Sequence, residues 1–273
     1  VMTSVTIFTM KNKNHLNLSL ASYGEVRDLT YDLVVLPWGA TEPHNLHLPY
    51  LTDAILSHAV ATDAAEKALQ QYGVRCMVLP PVTLGSQNPG QRNLKFCIHA
   101  RYETQKAVLA DTVASLHAQG FRKLVLINGH GGNNFKNMIR DLAVDYPDFL
   151  IAVSDWFAVL PAKDYFDNPG DHADEMETSA MMHYHPESVD LSAAGSGNYK
   201  PFSLPALREK VAWMPRDWSR ATEDTGIGNP SLSTAEKGRR FTQAVADKYA
   251  ELFAQLSRTR FPEDFYETGS QEQ

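Results

Sequence analysis

The chain has 273 residues, of which 43% are hydrophobic and 21% are charged, and its 25 Lys and Arg against 32 Asp and Glu give a formal net charge of −7. This balance is typical of an ordinary globular protein and excludes disordered, collagenous and coiled-coil chains. Because the basic residues are scattered and the net charge is negative, we also expect no nucleic-acid partner.

Cysteine content and hydropathy indicate the compartment. Cys76 and Cys97 are too few for a disulfide framework and do not form a CxxC pair, which fits a reducing environment. No apolar stretch approaches the roughly 18 to 20 residues needed to span a bilayer, and the first ten residues do not resemble a signal peptide. We therefore expect a cytoplasmic protein without a membrane partner, folded as a single domain over residues 1–273.

The first predicted elements alternate between strand and helix. Residues 5–10 form a short β-prone run, and residues 32–37 form a continuous apolar run of strand length that ends in Pro. Residues 53–71 place apolar side chains at helical spacing, and Gly73 closes that helix. Strand followed by helix constitutes a βα unit.

The same alternation continues along the chain. The predicted elements are a strand at 75–82, a loop rich in Gly, Asn and Pro at 85–93, a helix at 104–119, a strand at 123–128, a helix at 135–145 and a strand at 149–154. Such alternation implies βαβ crossovers, so we predict an α/β fold: a three-layer α/β/α sandwich with a mostly parallel sheet. Ligands of such sheets bind beyond the carboxyl ends of the strands.

The chain after residue 155 is richer in loops. A helical segment is predicted near 175–184, a further helix from about residue 206, and a long closing helix at 234–258 with Ser233 or Thr234 as its cap. Long irregular segments of this kind usually build a functional site.

The first group of potential metal ligands follows the strand at 32–37. Residues 39–49 read GATEPHNLHLP, and Asp53 opens the next helix. Glu42 and His44 lie two apart, so in extended chain both side chains point the same way and can meet one Zn or Mn ion. Asp53 could bridge two metals. Alternatively, Asp53 caps the helix and the histidines line a polar loop.

The second group is NGHGGN at 128–133, directly after the strand at 123–128. It lacks the Lys and Ser/Thr of a P-loop and the spacing of GxGxxG, whereas a histidine at a strand end is a good metal ligand. The alternative is a tight turn in which His130 hydrogen-bonds to the backbone.

The third group is DHADEMETS at 171–179. Its carboxylates could simply complement the dipole of a helix that starts there. Glu177, which precedes three apolar residues, could instead turn inward, where a buried carboxylate needs a cation or hydrogen-bond donors.

Together the three segments resemble the creatininase (creatinine amidohydrolase) family, whose members read approximately G-S-x-E-Q-H-G-x-H-L-P with an Asp shortly after, then N-G-H-G-G-N, then H-A-G-x-x-E-T-S. Residues 225–230 (TGIGNP) and 235–238 (AEKG) also resemble the closing signature of the family. The resemblance implies a dinuclear metal hydrolase on an α/β sandwich, and an oligomer that is often a hexamer.

Site residues follow from this resemblance position by position. It implies metal ligands at Glu42, His44, Asp53 and His130, with Asp53 as the bridging carboxylate. In creatininase a Glu two residues after the NGH histidine is a ligand, but here that position is Gly132, so we expect Glu177 to complete the second metal. The remaining expected roles are His172 as proton acceptor and donor, Asp171 as its orienter, Trp156 as an aromatic wall, and His47, Gly131 and Gly132 as further substrate contacts.

The hypothesis from these residues is metal-assisted hydrolysis of a C–N amide-type bond in a small molecule, such as a cyclic amide or a formamide, with a water shared by two divalent ions as nucleophile. The ions are expected to be Zn or Mn, with Fe or Co as alternatives. Because Pro43, Asn45 and Leu46 depart from the family pattern, we do not expect creatinine itself to be the substrate.

Other functions remain open at this stage. A noncatalytic metal- or ligand-binding protein would have the same fold but no need for His172. A dinuclear phosphoester hydrolase would need basic side chains near the site, for which Arg92 and Lys95 are candidates. A serine or cysteine nucleophile is less well supported, because the chain has no GxSxG motif and both cysteines lie in or near apolar strand sequence.

Overall fold

The computed structural model describes residues 14–267, so the β-prone run predicted at 5–10 lies outside the described residues. The strands are β1 (Leu33–Trp38), β2 (Cys76–Val78), β3 (Lys123–Asn128) and β4 (Leu150–Asp155). The α-helices are α1 (Tyr23–Val26), α2 (Thr52–Tyr72), α3 (Tyr102–Ala118), α4 (Lys136–Asp145), α5 (Glu175–Tyr184), α6 (Pro205–Arg208), α7 (Trp218–Ala221) and α8 (Ala235–Arg258).

The four strands form one parallel sheet in the order β2-β1-β3-β4. Strand β2 is shorter than the predicted 75–82. Pro80 and Pro81 follow it and have no N–H to donate to a ladder, so regular pairing stops and resumes only as an isolated bridge between Trp38 and Val82. The predicted α/β class with a parallel sheet is confirmed.

Helices cover both faces of the sheet. Successive residues of β1 point to opposite faces, so Leu33 and Val35 pack in one hydrophobic cluster with α2, α5 and α8. Val34 and Leu36 pack in a second cluster with α3 and α4. This arrangement is the predicted three-layer sandwich. None of the helices in residues 14–267 combines the length and hydrophobicity that crossing a bilayer requires.

Helix ends follow the predicted capping signals closely. Gly73 ends α2 in the left-handed conformation with φ of 70°, which glycine adopts without steric cost. The cap of α8 is Thr234, whose side chain accepts a hydrogen bond from the Lys237 N–H. The helix predicted from about residue 206 is only the short α6, and the chain from there to α7 is mostly irregular.

Strand register places the first two motifs side by side. Trp38, the last residue of β1, pairs with Asn128, the last residue of β3. The segments that follow these residues therefore leave the sheet at the same edge, the carboxyl edge where parallel sheets bind ligands. Helix α2 starts at the same edge and presents Asp53 in its first turn.

Candidate active site

Buried histidines and carboxylates converge at the carboxyl edge of the sheet. Their ligand atoms form three sets in which every pair of atoms lies within 4.8 Å. The sets are Glu42 with Asp53 and His130, His44 with Asp53 and Glu177, and Glu42 with His44 and His172. All of these side chains are buried. Segments that are far apart in sequence thus build one cluster.

Asp53 lies between two of the histidines. Its Oδ1 is 2.9 Å from Nε2 of His44, and its Oδ2 is 3.2 Å from Nδ1 of His130. Each carboxylate oxygen therefore faces a different imidazole. This is the orientation that a carboxylate needs to bridge two cations.

The three histidines of the cluster share one hydrogen-bonding pattern. His44 Nδ1 lies 3.1 Å from the Glu42 carbonyl, His130 Nε2 lies 2.8 Å from the Ser86 carbonyl, and His172 Nε2 lies 2.9 Å from the Pro43 carbonyl. A carbonyl oxygen only accepts, so each of these nitrogens carries the proton. In the neutral rings the other nitrogen then presents a lone pair to the carboxylates, as metal-ligating histidines do.

Two carboxylate oxygens of the cluster lack a hydrogen-bond partner. Glu42 Oε1 lies 2.8 Å from His130 Nδ1, but within residues 14–267 neither this oxygen nor Asp53 Oδ2 has a partner in hydrogen-bonding geometry. Buried anionic oxygens that face nitrogen lone pairs are destabilising unless a cation lies between them. The donor set therefore fits divalent metal.

Without metal, the cluster binds protons instead. Burial opposes charging of His44, but Asp53, Glu177 and Glu42 outweigh that effect and raise its pKa to about 10. Glu42 and Asp53 likewise outweigh burial and raise the pKa of His130. Burial raises the pKa of Glu177 to about 8, although His44 opposes the shift. Metal entering the cluster would have to displace these protons.

The structure gives a steric reason for glycine at position 132. A Cβ atom there would collide with the Ser86 carbonyl oxygen and with Nε2 of His130. A side chain, and hence a ligating glutamate, would fit at this position only if the Ser86 backbone or His130 moved. Glu177 lies beside His44: its Oε2 is 4.0 Å from His44 Nε2 and accepts a 2.6 Å hydrogen bond from the Ala173 N–H.

A cleft of about 560 Å³ opens in front of the cluster. Glu42, His130 and His172 lie on its wall, as do the predicted substrate contacts Gly131 and Gly132. The tryptophans at its rim and wall, Trp213 and Trp218, come from the loop-rich part of the chain.

Two other predicted substrate contacts lie elsewhere. Trp156 is fully buried in the hydrophobic core, with its ring 6.0 Å from that of Phe241, and it does not line the cleft. His47 is buried behind the cluster, where its Nε2 lies 2.8 Å from the Thr178 hydroxyl. Trp156 therefore packs in the core, and His47 contacts α5 through Thr178.

The expected link between Asp171 and His172 is also absent. Asp171 forms a 2.5 Å ion pair with Arg216, and the ring of His172 is held by the Pro43 carbonyl on one side and by the ring of Trp218, 5.3 Å away, on another. Asp171 therefore anchors the Arg216 segment and does not orient the imidazole. Sequence reasoning missed Arg216 and the supporting contacts of the 86–91 loop, because no local motif marks them.

Comparison with known proteins identifies the family to which the chain belongs. The creatininase (creatinine amidohydrolase) family model matches residues 19–253. A mycofactocin precursor peptide peptidase of Mycobacterium ulcerans is 30% identical over 227 residues, which cover 80% of this chain and 83% of that protein. A 3-dehydro-scyllo-inosose hydrolase of Thermotoga maritima is 26% identical over 258 residues, covering 85% of this chain and 79% of that protein.

A solved structure from Bacteroides fragilis NCTC 9343 is more similar still. That protein, provisionally assigned as a creatinine amidohydrolase, is 58% identical, with a TM-score of 0.90 over 93% of this chain and 99% of its own. The family match spans the sheet, the three ligand segments and most of α8. The chain therefore belongs to the creatininase family.

Proposed function

We propose that this protein is a dinuclear metal-dependent amidohydrolase that cleaves a C–N amide-type bond in a small molecule. The observation that carries the proposal is the position of Asp53, whose two oxygens face His44 and His130 separately, while the outer nitrogen of each ring donates to a backbone carbonyl. A site for a single ion would not need the two oxygens of Asp53 to face two different histidines.

The two proposed metal sites share Asp53. One is formed by Glu42, Asp53 and His130, and the other by His44, Asp53 and Glu177. Carboxylate and imidazole donors admit Zn, Mn, Fe or Co, and availability often decides which metal is bound. We propose Zn or Mn as the working metal.

Divalent ions at these positions would lower the pKa of a shared water toward neutrality and polarise a substrate carbonyl. His172 would move the proton. Its Nε2 is committed to the Pro43 carbonyl, so Nδ1 is the atom that takes a proton from the water and returns it to the departing nitrogen. Burial lowers the pKa of His172 and so favours the neutral ring, which can accept a proton.

The cleft favours a small polar substrate. The residues that line it include Asn88, Asn133 and Asn134, and the indole of Trp213 lies exposed at its rim. Such a wall suits a cyclic amide or formamide, which has both hydrogen-bonding and flat apolar surfaces. Because position 132 is a glycine whose surroundings leave no space for a side chain, we do not propose creatinine as the substrate.

A phosphoester substrate is less well supported. Arg92 and Lys95 are exposed and do not line the cleft. Of the basic residues that do, Arg216 is already paired with Asp171, which leaves Lys136 to meet phosphate charge. A purely metal-binding role does not explain why His172 lines the cleft beside the ligands.

The substrate class is tested with metal-free protein reconstituted with Zn²⁺ or Mn²⁺ and assayed on panels of cyclic amides, formamides, short peptides and phosphoesters. We expect turnover of an amide or formamide that disappears with chelator and returns with metal. Turnover confined to phosphoesters, or none in any panel despite bound metal, would contradict the proposed reaction.

We also propose a homo-oligomer, a hexamer by family resemblance, in the cytoplasm. Large apolar side chains are exposed on the described part of the chain, including Leu46, Phe96, Val211 and Trp213, and exposed apolar patches commonly mark contacts between subunits. Sedimentation velocity would test the assembly, and a monomer at micromolar concentration would contradict it.

A further inference from the structure

The loop at residues 86–91 contacts two of the proposed metal ligands. The Ser86 carbonyl accepts the hydrogen bond of His130 Nε2. At the other end of the loop, Gln91 donates from Nε2 to Glu42 Oε2 over 2.5 Å, and the Gln91 side chain is only 1% exposed. Gln91 is not one of the proposed ligands, so its hydrogen bond to Glu42 needs a separate explanation.

The orientation of the Gln91 amide is determined by its other end. The backbone N–H of Asn88 lies 2.9 Å from Gln91 Oε1, and a backbone N–H only donates. The oxygen of the amide must therefore face Asn88, so that the NH₂ group faces Glu42. A carboxylate oxygen that accepts this short hydrogen bond is less available to a cation.

The consequence for Glu42 is that its two oxygens have different roles. Oε2 is occupied by Gln91, whereas Oε1 has no hydrogen-bond partner within the described residues and lies 2.8 Å from His130 Nδ1. The loop itself is anchored, because the Pro89 carbonyl accepts a 2.7 Å hydrogen bond from the Trp218 N–H. Gln91 therefore holds Glu42 from a fixed position.

We infer that Gln91 is a positioning residue, which makes Glu42 a one-oxygen ligand directed at the metal site shared with His130 and Asp53. This inference rests on the proposed function. The site formed by His44, Asp53 and Glu177 does not contact Gln91, so the effect of Gln91 should be confined to one of the two sites. A residue that only packed the loop would have no such selectivity.

The test is the affinity of metal-free protein for Zn²⁺, measured by competition with a chelator for wild type and for Gln91→Met, which keeps the shape of the side chain and removes the donor. Loss of a partner that orients a metal ligand typically weakens affinity by about 10- to 100-fold. We expect Zn²⁺ affinity to fall by this factor at one site and to stay within about twofold of the wild-type value at the other. Gln91→Ala serves if the Met variant does not fold.

Gln105→Met is the matched control. Gln105 is equally buried and donates to the Ala100 carbonyl over 3.1 Å, but it contacts none of the proposed ligands. Both affinities of this variant should equal those of wild type. In a Glu42→Gln background, Gln91→Met should cause no further loss of Zn²⁺ affinity, because its partner carboxylate is gone.

The outcomes separate this inference from the proposed function. Two wild-type sites whose affinities are unchanged in both Gln91 variants would overturn the inference alone. Equal weakening of both sites, or additive losses in the Glu42→Gln background, would also overturn it, since either result shows a general structural role. Wild-type protein that binds no Zn²⁺ would overturn the proposed function and this inference with it.

Discussion

At the scale of single residues, the histidines are the most informative part of the site. Each uses one ring nitrogen on a backbone carbonyl, which orients the ring and determines which nitrogen faces the carboxylates. These carbonyls belong to Glu42, Pro43 and Ser86. The backbone of the segment after β1 and of the 86–91 loop therefore orients the histidine rings. Removing the ring of a proposed ligand should therefore lower the metal content, whereas removing the ring of His172 should lower turnover alone.

His172→Ala should lower kcat by about 100- to 10,000-fold, the usual contribution of a general acid–base, while metal content stays at the wild-type value. The reason is that His172 lies outside both proposed metal triads. Turnover and metal content measured on the same preparation test this. Unchanged turnover would remove His172 from the mechanism, and loss of metal would make it a ligand.

Metal uptake should depend steeply on pH. The carboxylates raise the pKa of His44 to about 10 and burial raises that of Glu177 to about 8, so at pH 7 metal-free protein holds protons at the ligand atoms. Binding must release them, and affinity should therefore rise as the pH increases from 6 to 8. Calorimetry in buffers of different ionisation enthalpy measures the released protons. Binding without proton release would contradict this account.

At the scale of elements, β3 and α5 have the predicted bounds, and most other ends differ from the prediction by one or two residues. Apolar runs and Gly or Thr caps explain this agreement, because they are local signals. Strand β2 differs because Pro80 and Pro81 cannot extend the ladder. The motifs identified the ligand segments, but the positions of Trp156, Asp171 and Gln91 depend on contacts between distant segments, which no local pattern contains.

The loop after β3 offers a matched pair of glycines. A Cβ on Gly132 would meet the Ser86 carbonyl and His130 Nε2, whereas a Cβ on Gly131 would meet nothing within 4 Å. Gly132→Ala should therefore displace His130 or the 86–91 loop, lose metal and reduce stability by about 1 to 3 kcal/mol, as overpacking does.

Gly131→Ala should keep the wild-type metal content and melting temperature. Metal analysis and thermal unfolding compare the two variants directly. Equal behaviour of the two would show that the contact between Ser86 and residue 132 does not determine the position of His130.

At the scale of the whole molecule, the sheet brings together groups that are far apart in the chain. The β1–β3 register joins residues 38 and 128, α2 contributes Asp53 at the same edge, and α8 packs on α5, which carries Glu177. Alternating strands and helices were sufficient to predict this architecture. The extent of the domain and the number of subunits stay predictions, because they depend on surfaces rather than on periodicity.

The central claim is a pair of metal ions that share Asp53. It is tested most directly by metal content per chain, measured by plasma mass spectrometry on wild type and Asp53→Asn after loading with Zn²⁺ or Mn²⁺. Asp63→Asn, on the same helix α2 but outside the cluster, is the control. We predict close to two ions in wild type and in the control and almost none in Asp53→Asn. One ion or none in wild type, or two retained without the Asp53 carboxylate, would contradict the account.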